Sequence, residues 1–132
     1  MEKCFIYQQE KLKKVVPDFK EQYGYFLNPF IFFLNGNPVV YGECMVKDNE
    51  IEIQYIKSID TRKGYATLFI NHLIQDLEFT EVWGESVVES FLFWEKVGAV
   101  FDETSENYFR KYAGDESVEF EEEFLIPFTI TN

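Results

Sequence analysis

The chain has 132 residues, 46% hydrophobic and 19% aromatic with 15 Phe, which suffices for one packed core over residues 1–132 and excludes a disordered chain or two sizeable domains. Its formal charge of −12 excludes the basic face that a nucleic-acid binder turns to phosphates. The same charge suits a cationic partner or serves solubility.

The N-terminus, Met1 to Tyr7, lacks the apolar stretch and cleavage site of an export signal. Nowhere does an apolar run reach the roughly 20 residues of a membrane span. The two cysteines, Cys4 and Cys44, have no metal-ligand spacing and read as reduced thiols, so the expectation is a cytoplasmic protein with no metal and no membrane contact. Residues 4–7 suit a short strand and residues 10–16 a helix, which Pro17 limits or follows with a second helical turn. Phe30-Ile31-Phe32-Phe33-Leu34 is a dense apolar run. Asn35-Gly36-Asn37 then supplies a hairpin turn, because Asn-Gly tolerates the positive φ angles of a type I′ turn. Residues 39–46 return as a strand, Lys47-Asp48-Asn49 turn again, and residues 50–55 alternate polar and apolar as a half-buried strand should.

A helix follows from Lys63 or Gly64 to about Leu77, with Tyr65, Leu68, Phe69, Leu73 and Leu77 recurring at helical steps. Residues 81–85 form a short strand. Ser86-Val87-Val88-Glu89 fits a capping box, opening a helix through Phe91, Trp94 and Val97 that stops at Gly98. Residues 99–101 and 124–130 are strands, and Pro127 predicts that the last lies at an edge or carries a bulge. The order implies a mixed α/β sheet with helices on its faces. His72, in mid-helix, has no obvious partner and reads as structural. Acids gather in residues 115–123, a solvated loop or a lure for a cation.

In so acidic a chain, Lys57, Arg62 and Lys63 form a basic island. Thr61-Arg62-Lys63-Gly64-Tyr65-Ala66-Thr67 lies between a strand and an apolar helix, where free amides and the helix dipole favour an anion. Gly64 lets the backbone approach a ligand and Ala66 does not block it. By local pattern alone, the segment is either such a site or a helix that begins with solvated basic residues.

Gly64 and Ala66 match the small positions of the acetyl-CoA motif R/Q-x-x-G-x-G/A, and the segment resembles that of the GNAT N-acetyltransferase family. Thr61 stands in place of the first Arg or Gln, with Arg62 beside it. Downstream, Phe93-Trp94-Glu95-Lys96-Val97-Gly98-Ala99 is similar to the family's FYEKLGF helix end. The resemblance covers the chain from about Phe30 onward. It implies a GNAT-like mixed, mostly antiparallel sheet flanked by helices, with a shortened N-terminal helical region.

The resemblance also implies acetyl-CoA as acyl donor, held by Ile56, Lys57, Ser58, Arg62, Lys63, Gly64, Tyr65, Ala66, Thr67 and Trp94. Pantetheine would pair with backbone at residues 56–58, in a gap between this strand and that of residues 82–85. Ile51, Ile53 and Tyr55 keep one phase and Ile56 breaks it, as the family's bulge here would cause. Direct transfer to a primary amine needs a base, with Glu50 and Glu52 as candidates, and an oxyanion donor near Ile56. The family's acid is a Tyr where this chain has Trp94, whose indole is no acid at neutral pH. Tyr108, Tyr112 or solvent then supplies the proton, or the chain is a weak or inactive GNAT-like module that binds an acyl-CoA or a protein partner. Val87 replaces the usual Asn near that helix's start. Tyr23, Tyr25 and Phe26 are candidates for an acceptor cleft or for packing. The charge favours a cationic amine acceptor, and monomer and homodimer both remain open.

Overall fold

A computed structural model of the chain describes residues 1–15, 17, 28–60, 63–121 and 123–132. Tyr23, Tyr25, Phe26, Thr61 and Arg62 lie outside the described residues. Strand β1 (Lys3–Ile6) and helix α1 (Gln9–Val15) precede a meander of β2 (Asn28–Leu34), β3 (Asn37–Lys47) and β4 (Glu50–Ser58). Turn chemistry sets the first hairpin: Asn35 and Gly36 have φ of 52° and 82°, and Leu34 pairs with Asn37 across them. Asp48, at φ 54°, turns the second.

Helix α2 (Tyr65–Asn71) passes without a break into a wider π-helical turn, His72–Asp76, and returns the chain to β5 (Glu81–Ser86). This crossover makes β4 and β5 parallel, while every other pairing is antiparallel. A short 3₁₀ turn (Val88–Ser90) leads to α3 (Phe91–Lys96), β6 (Val100–Phe101), α4 (Glu103–Tyr112) and β7 (Ile126–Thr131). The seven-stranded sheet runs β1-β2-β3-β4-β5-β7-β6.

Alternation along the strands sorts residues to the two faces. On one, Phe30, Phe32, Val40, Cys44, Ile51, Ile53, Val82, Phe128 and Ile130 pack with Phe69, Ile70 and Leu73 of α2 and with Phe91 and Trp94 of α3. On the other, Ile31 and Phe33 are covered by Leu12 of α1. Burying side chains such as Phe69 or Ile53 contributes about 1.5–3 kcal/mol each, so this core dominates stability. α3 ends as its Gly98 demands: at φ 96° the amides of Gly98 and Ala99 reach the carbonyls of Glu95 and Trp94 at 3.1 and 3.0 Å.

Three expectations need correction. The capping box does not form: Ser86 is the last residue of β5 and its hydroxyl donates to the Val87 carbonyl at 2.7 Å, while Val87 opens the 3₁₀ turn with no side-chain cap. Strand β7 is neither at an edge nor bulged, since it lies between β5 and β6 in continuous register. Pro127 is tolerated there because β6 pairs only with Phe128 and Thr129, and beyond it Asp102 donates its N–H to the Pro127 carbonyl at 2.8 Å. Third, α4 occupies residues left without an element. Asp102 caps it by accepting from Ser105 N at 3.1 Å, acids Glu103 and Glu106 stand in the first turn, and Arg110 and Lys111 stand in the last.

Candidate functional site

The site is built where two neighbouring strands separate. β4 pairs with β5 from Glu50–Glu81 to Ile53–Gly84 and no further; Glu85 and Ser86 go on with β7 alone, while Tyr55 to Ser58 go on with β3 alone. The two strands therefore open a gap between their facing edges beyond these residues. Gly84 makes the last close pair: a Cβ there would stand 2.5 Å from the Ile53 carbonyl oxygen.

A bulge accompanies the separation. Glu43 pairs with Tyr55 and Cys44 with Ile53, so Gln54 is an extra residue in β4. The bulge reverses the side-chain phase, which sends Ile56 to the core face and Tyr55 to the opposite face beside Glu43. The extra residue brings the Tyr55 carbonyl over Gly42, where a Cβ would lie only 2.1 Å from that oxygen. Ile59, beyond the strand end, is exposed and donates its N–H to the Val39 carbonyl at 2.9 Å.

The loop after β4 leads into α2. Gly64, at φ 69°, is its N-cap, and the first helical bond runs from Leu68 N to Gly64 O at 3.1 Å. The amides of Tyr65, Ala66 and Thr67 before it are not used within the helix, and the N-cap Gly64 has no side chain to cap them. Among the described residues, nothing lies within 4 Å of where a Gly64 Cβ would project. Lys63 is exposed beside these amides, and Ser58 folds its hydroxyl back onto the Asp60 carbonyl at 3.0 Å. Geometry and charge there favour an anion.

Glu52 and Glu85 share the face that also carries Trp83, since Glu52 pairs with Trp83 and Glu85 follows two residues on. Burial raises the Glu52 carboxyl above its ordinary range, and the Glu85 charge adds to the rise. Glu50 is exposed at the far end of β4, away from the parted half. Glu43 is a buried carboxyl on β3, in register with Tyr55. Sequence alternation missed Glu43 and Glu85, because only the register across β3, β4 and β5 brings them to this place. Burial, then the Glu43 charge, pushes the Cys44 thiol up to about 12, so it stays protonated and is a poor nucleophile.

Trp94 is buried in the core and stacks on Phe128 with centroids 4.1 Å apart. Tyr108 and Tyr112 belong to a different neighbourhood. They touch each other at 5.0 Å, and Tyr108 meets Phe124 at 5.2 Å, on the segment between β6 and β7. His72 has a partner after all: its Nδ1 is 2.7 Å from Asp76 Oδ2, which also accepts from Lys3 Nζ at 3.2 Å. Both cysteines are free, and no helix is long and apolar enough to cross a membrane among the described residues. Also among these residues, no group of three or more His, Cys, Asp or Glu is placed to hold a metal ion.

No protein-family model and no curated protein matches the sequence. Solved structures match in fold. Mutant forms of the spermidine/spermine N-acetyltransferase of Vibrio cholerae are 12% identical, with 98% of this chain and 95% of that one covered at a TM-score of 0.57. A GNAT family acetyltransferase from Elizabethkingia anophelis with acetyl-CoA bound is 11% identical, with 95% and 84% covered at 0.52. A Bacillus subtilis acetyltransferase in complex with CoA is 9% identical, with 94% and 84% covered at 0.52. At these identities the likeness shows the fold: the chain has the GNAT fold, a mostly antiparallel sheet flanked by helices.

Proposed function

We propose that this chain is an acetyl-CoA-dependent N-acetyltransferase that moves the acetyl group directly onto a primary amine. The observation that carries the proposal is the parting of β4 from β5 after Ile53 and Gly84, followed in the chain by the amides that open α2 at Gly64. The neighbours with CoA or acetyl-CoA bound support the same donor. In this reading the amides of Tyr65, Ala66 and Thr67 hold the pyrophosphate over Gly64, and Arg62 and Lys63 supply positive charge. The open backbone at Ile56, Lys57 and Ser58 pairs with the pantetheine arm as an added strand would, and Trp94 backs the gap from α3.

Transfer then needs little more. The amine nitrogen attacks the thioester carbonyl, and the C–N bond forms as the C–S bond breaks. A backbone N–H near Ile56 donates to the carbonyl oxygen as charge develops on it. Glu52 takes the amine proton, directly or through water, because its raised carboxyl is a better base than an ordinary one and Glu50 lies farther from the parting. Solvent protonates the departing thiolate, since Tyr108 and Tyr112 sit in their own aromatic cluster. Protonated Cys44 favours direct transfer over an acetyl-cysteine route. Glu50, Glu52, Glu81 and Glu85 give the face beside Trp83 a charge that favours a cationic acceptor, and a cytoplasmic setting belongs to the same proposal.

Substitution of Gly64 by Trp tests the donor site. The variant carries backbone strain of about 1–2 kcal/mol at φ 69°. It is expected to stay folded, checked by circular dichroism, and to lose acetyl-CoA binding in calorimetry. Unchanged affinity would sink the site. A second reading rests on Trp94: with indole where the family places an acid, the fold would bind an acyl-CoA or a protein partner without turnover. Release of free CoA over a panel of amines separates the two.

A further inference from the structure

The segment between β6 and β7 carries an aromatic assembly that acetyl transfer does not use. Phe120 and Phe124 stack at 5.3 Å, and Tyr108 meets them edge-on and tilted at 6.0 and 5.2 Å. Phe120 also touches Phe109 at 5.7 Å, and Phe109 stands on Phe91 at 4.5 Å, so the assembly is anchored to the main core. Between it and the start of α4 lies a cavity of about 610 Å³, whose lining includes Tyr108, Phe120, Phe124, Glu119, Glu121 and Glu123. That volume falls within the range of small-molecule sites, about 300–1,000 Å³.

No cation lines this cavity among the described residues. The nearby basic side chains of α4 are engaged elsewhere: Arg110 pairs with Glu95 and Glu106 and lies over the Phe91 ring, and Lys111 lies over Tyr112 at 5.3 Å. Ring faces carry partial negative charge and attract cations, all the more where carboxylates surround them. Tyr108 keeps 46% of its surface exposed, so packing leaves this ring accessible. An anion would meet repulsion from Glu119, Glu121 and Glu123, and a neutral apolar ligand would leave their field unused.

We propose that this groove is a second, separate binding site for a small alkylammonium ligand, its ammonium held against Tyr108 and Phe120 within the field of the three glutamates. The test is amide NMR on the full chain titrated with hexamethonium, a dication whose quaternary nitrogens cannot be acetylated. Saturable shifts are expected in residues 104–124 and not in residues 50–58 or 81–86, which separates this site from the proposed transfer site. Replacing Glu119, Glu121 and Glu123 together by Gln should weaken binding about tenfold. Tyr108→Leu should weaken it as well, and Tyr108→Phe, which keeps the ring, should not. The proposal is overturned by the lack of saturable shifts in the groove, by shifts confined to β4 and β5, or by equal affinity in the glutamine variant.

Discussion

Gly42→Ala probes the geometry on which the site depends. The added Cβ would stand 2.1 Å from the Tyr55 carbonyl oxygen and 2.9 Å from two Phe30 ring carbons, where real Cβ atoms essentially never come closer than 3.0 Å. The difference requires about 1 Å of movement by the β4 backbone, because a carbonyl held in a sheet cannot rotate away as a side chain can. Overpacking a core costs about 1–3 kcal/mol and occasionally more, and a backbone contact belongs at the upper end, so we expect a loss of about 3 kcal/mol. For a domain of this size that is a fall in Tm of roughly 10–15 °C. The movement also shifts the open edge of β4, so acetyl-CoA affinity should drop about tenfold, or 1.4 kcal/mol. Urea unfolding and calorimetry measure the two effects. Gly36→Ala is the control: at φ 82° with nothing within 4 Å of its Cβ, it suffers backbone strain of about 1–2 kcal/mol and no clash. A loss at Gly42 below that of the control, with donor affinity unchanged, would refute the claim that Gly42 makes room for the bulge.

Further expectations concern single side chains. Glu52→Gln should lower kcat/KM by about 10²–10⁴ and remove the acidic limb of its pH profile, which in the parent lies above the ordinary carboxylate range. Because the folded-state value is raised, any stabilisation by Glu52 is full below its unfolded value and fades as pH rises through the folded one; Glu52→Gln should therefore gain stability relative to the parent toward neutral pH, seen as Tm against pH. Trp94→Tyr should lose about 1–3 kcal/mol by thinning the stack on Phe128. Its turnover should rise if thiolate protonation limits the rate, and an unchanged turnover would place the limiting step elsewhere. Asp76 is held below the usual carboxylate range by its hydrogen bonds from His72 and then Lys3, so its contribution is present above the unfolded value and lost as pH falls through the lowered one. Asp76→Asn should lower Tm near neutral pH, and the difference should close in acid.

Much of the frame could be read locally. Asn35-Gly36 specifies its own turn, the apolar steps of residues 65–77 announce a buried helix, and Gly98 marks a helix end. What escaped was set by distant neighbours or by composition. Helix α4 has no fully buried residue, so its apolar signal is weak; the Asp102 cap and the acid-to-base gradient from Glu103 to Lys111 were the available marks. Pro127 is permitted inside the sheet only because β6 stops after Phe101, and nothing near Pro127 states where another strand ends. At the site, the break of phase at Ile56 was visible, yet the extra residue is Gln54, a position defined by what β3 places opposite it. The Glu52–Glu85 neighbourhood depends on a parallel register joined through a whole crossover helix, beyond the reach of any short spacing rule.

The two outer strands of the sheet are brief, with four residues in β1 and two in β6. Such short rims give another chain few bonds from which to continue the sheet, and the charge of −12 adds repulsion between copies. Past Ile53 and Gly84, β4 and β5 part and leave an internal wedge between them. On the proposed reading, protection from edge-on polymerisation and room for an extended ligand have one origin: the edges that part lie inside the sheet, where a slender chain can enter and a second sheet cannot.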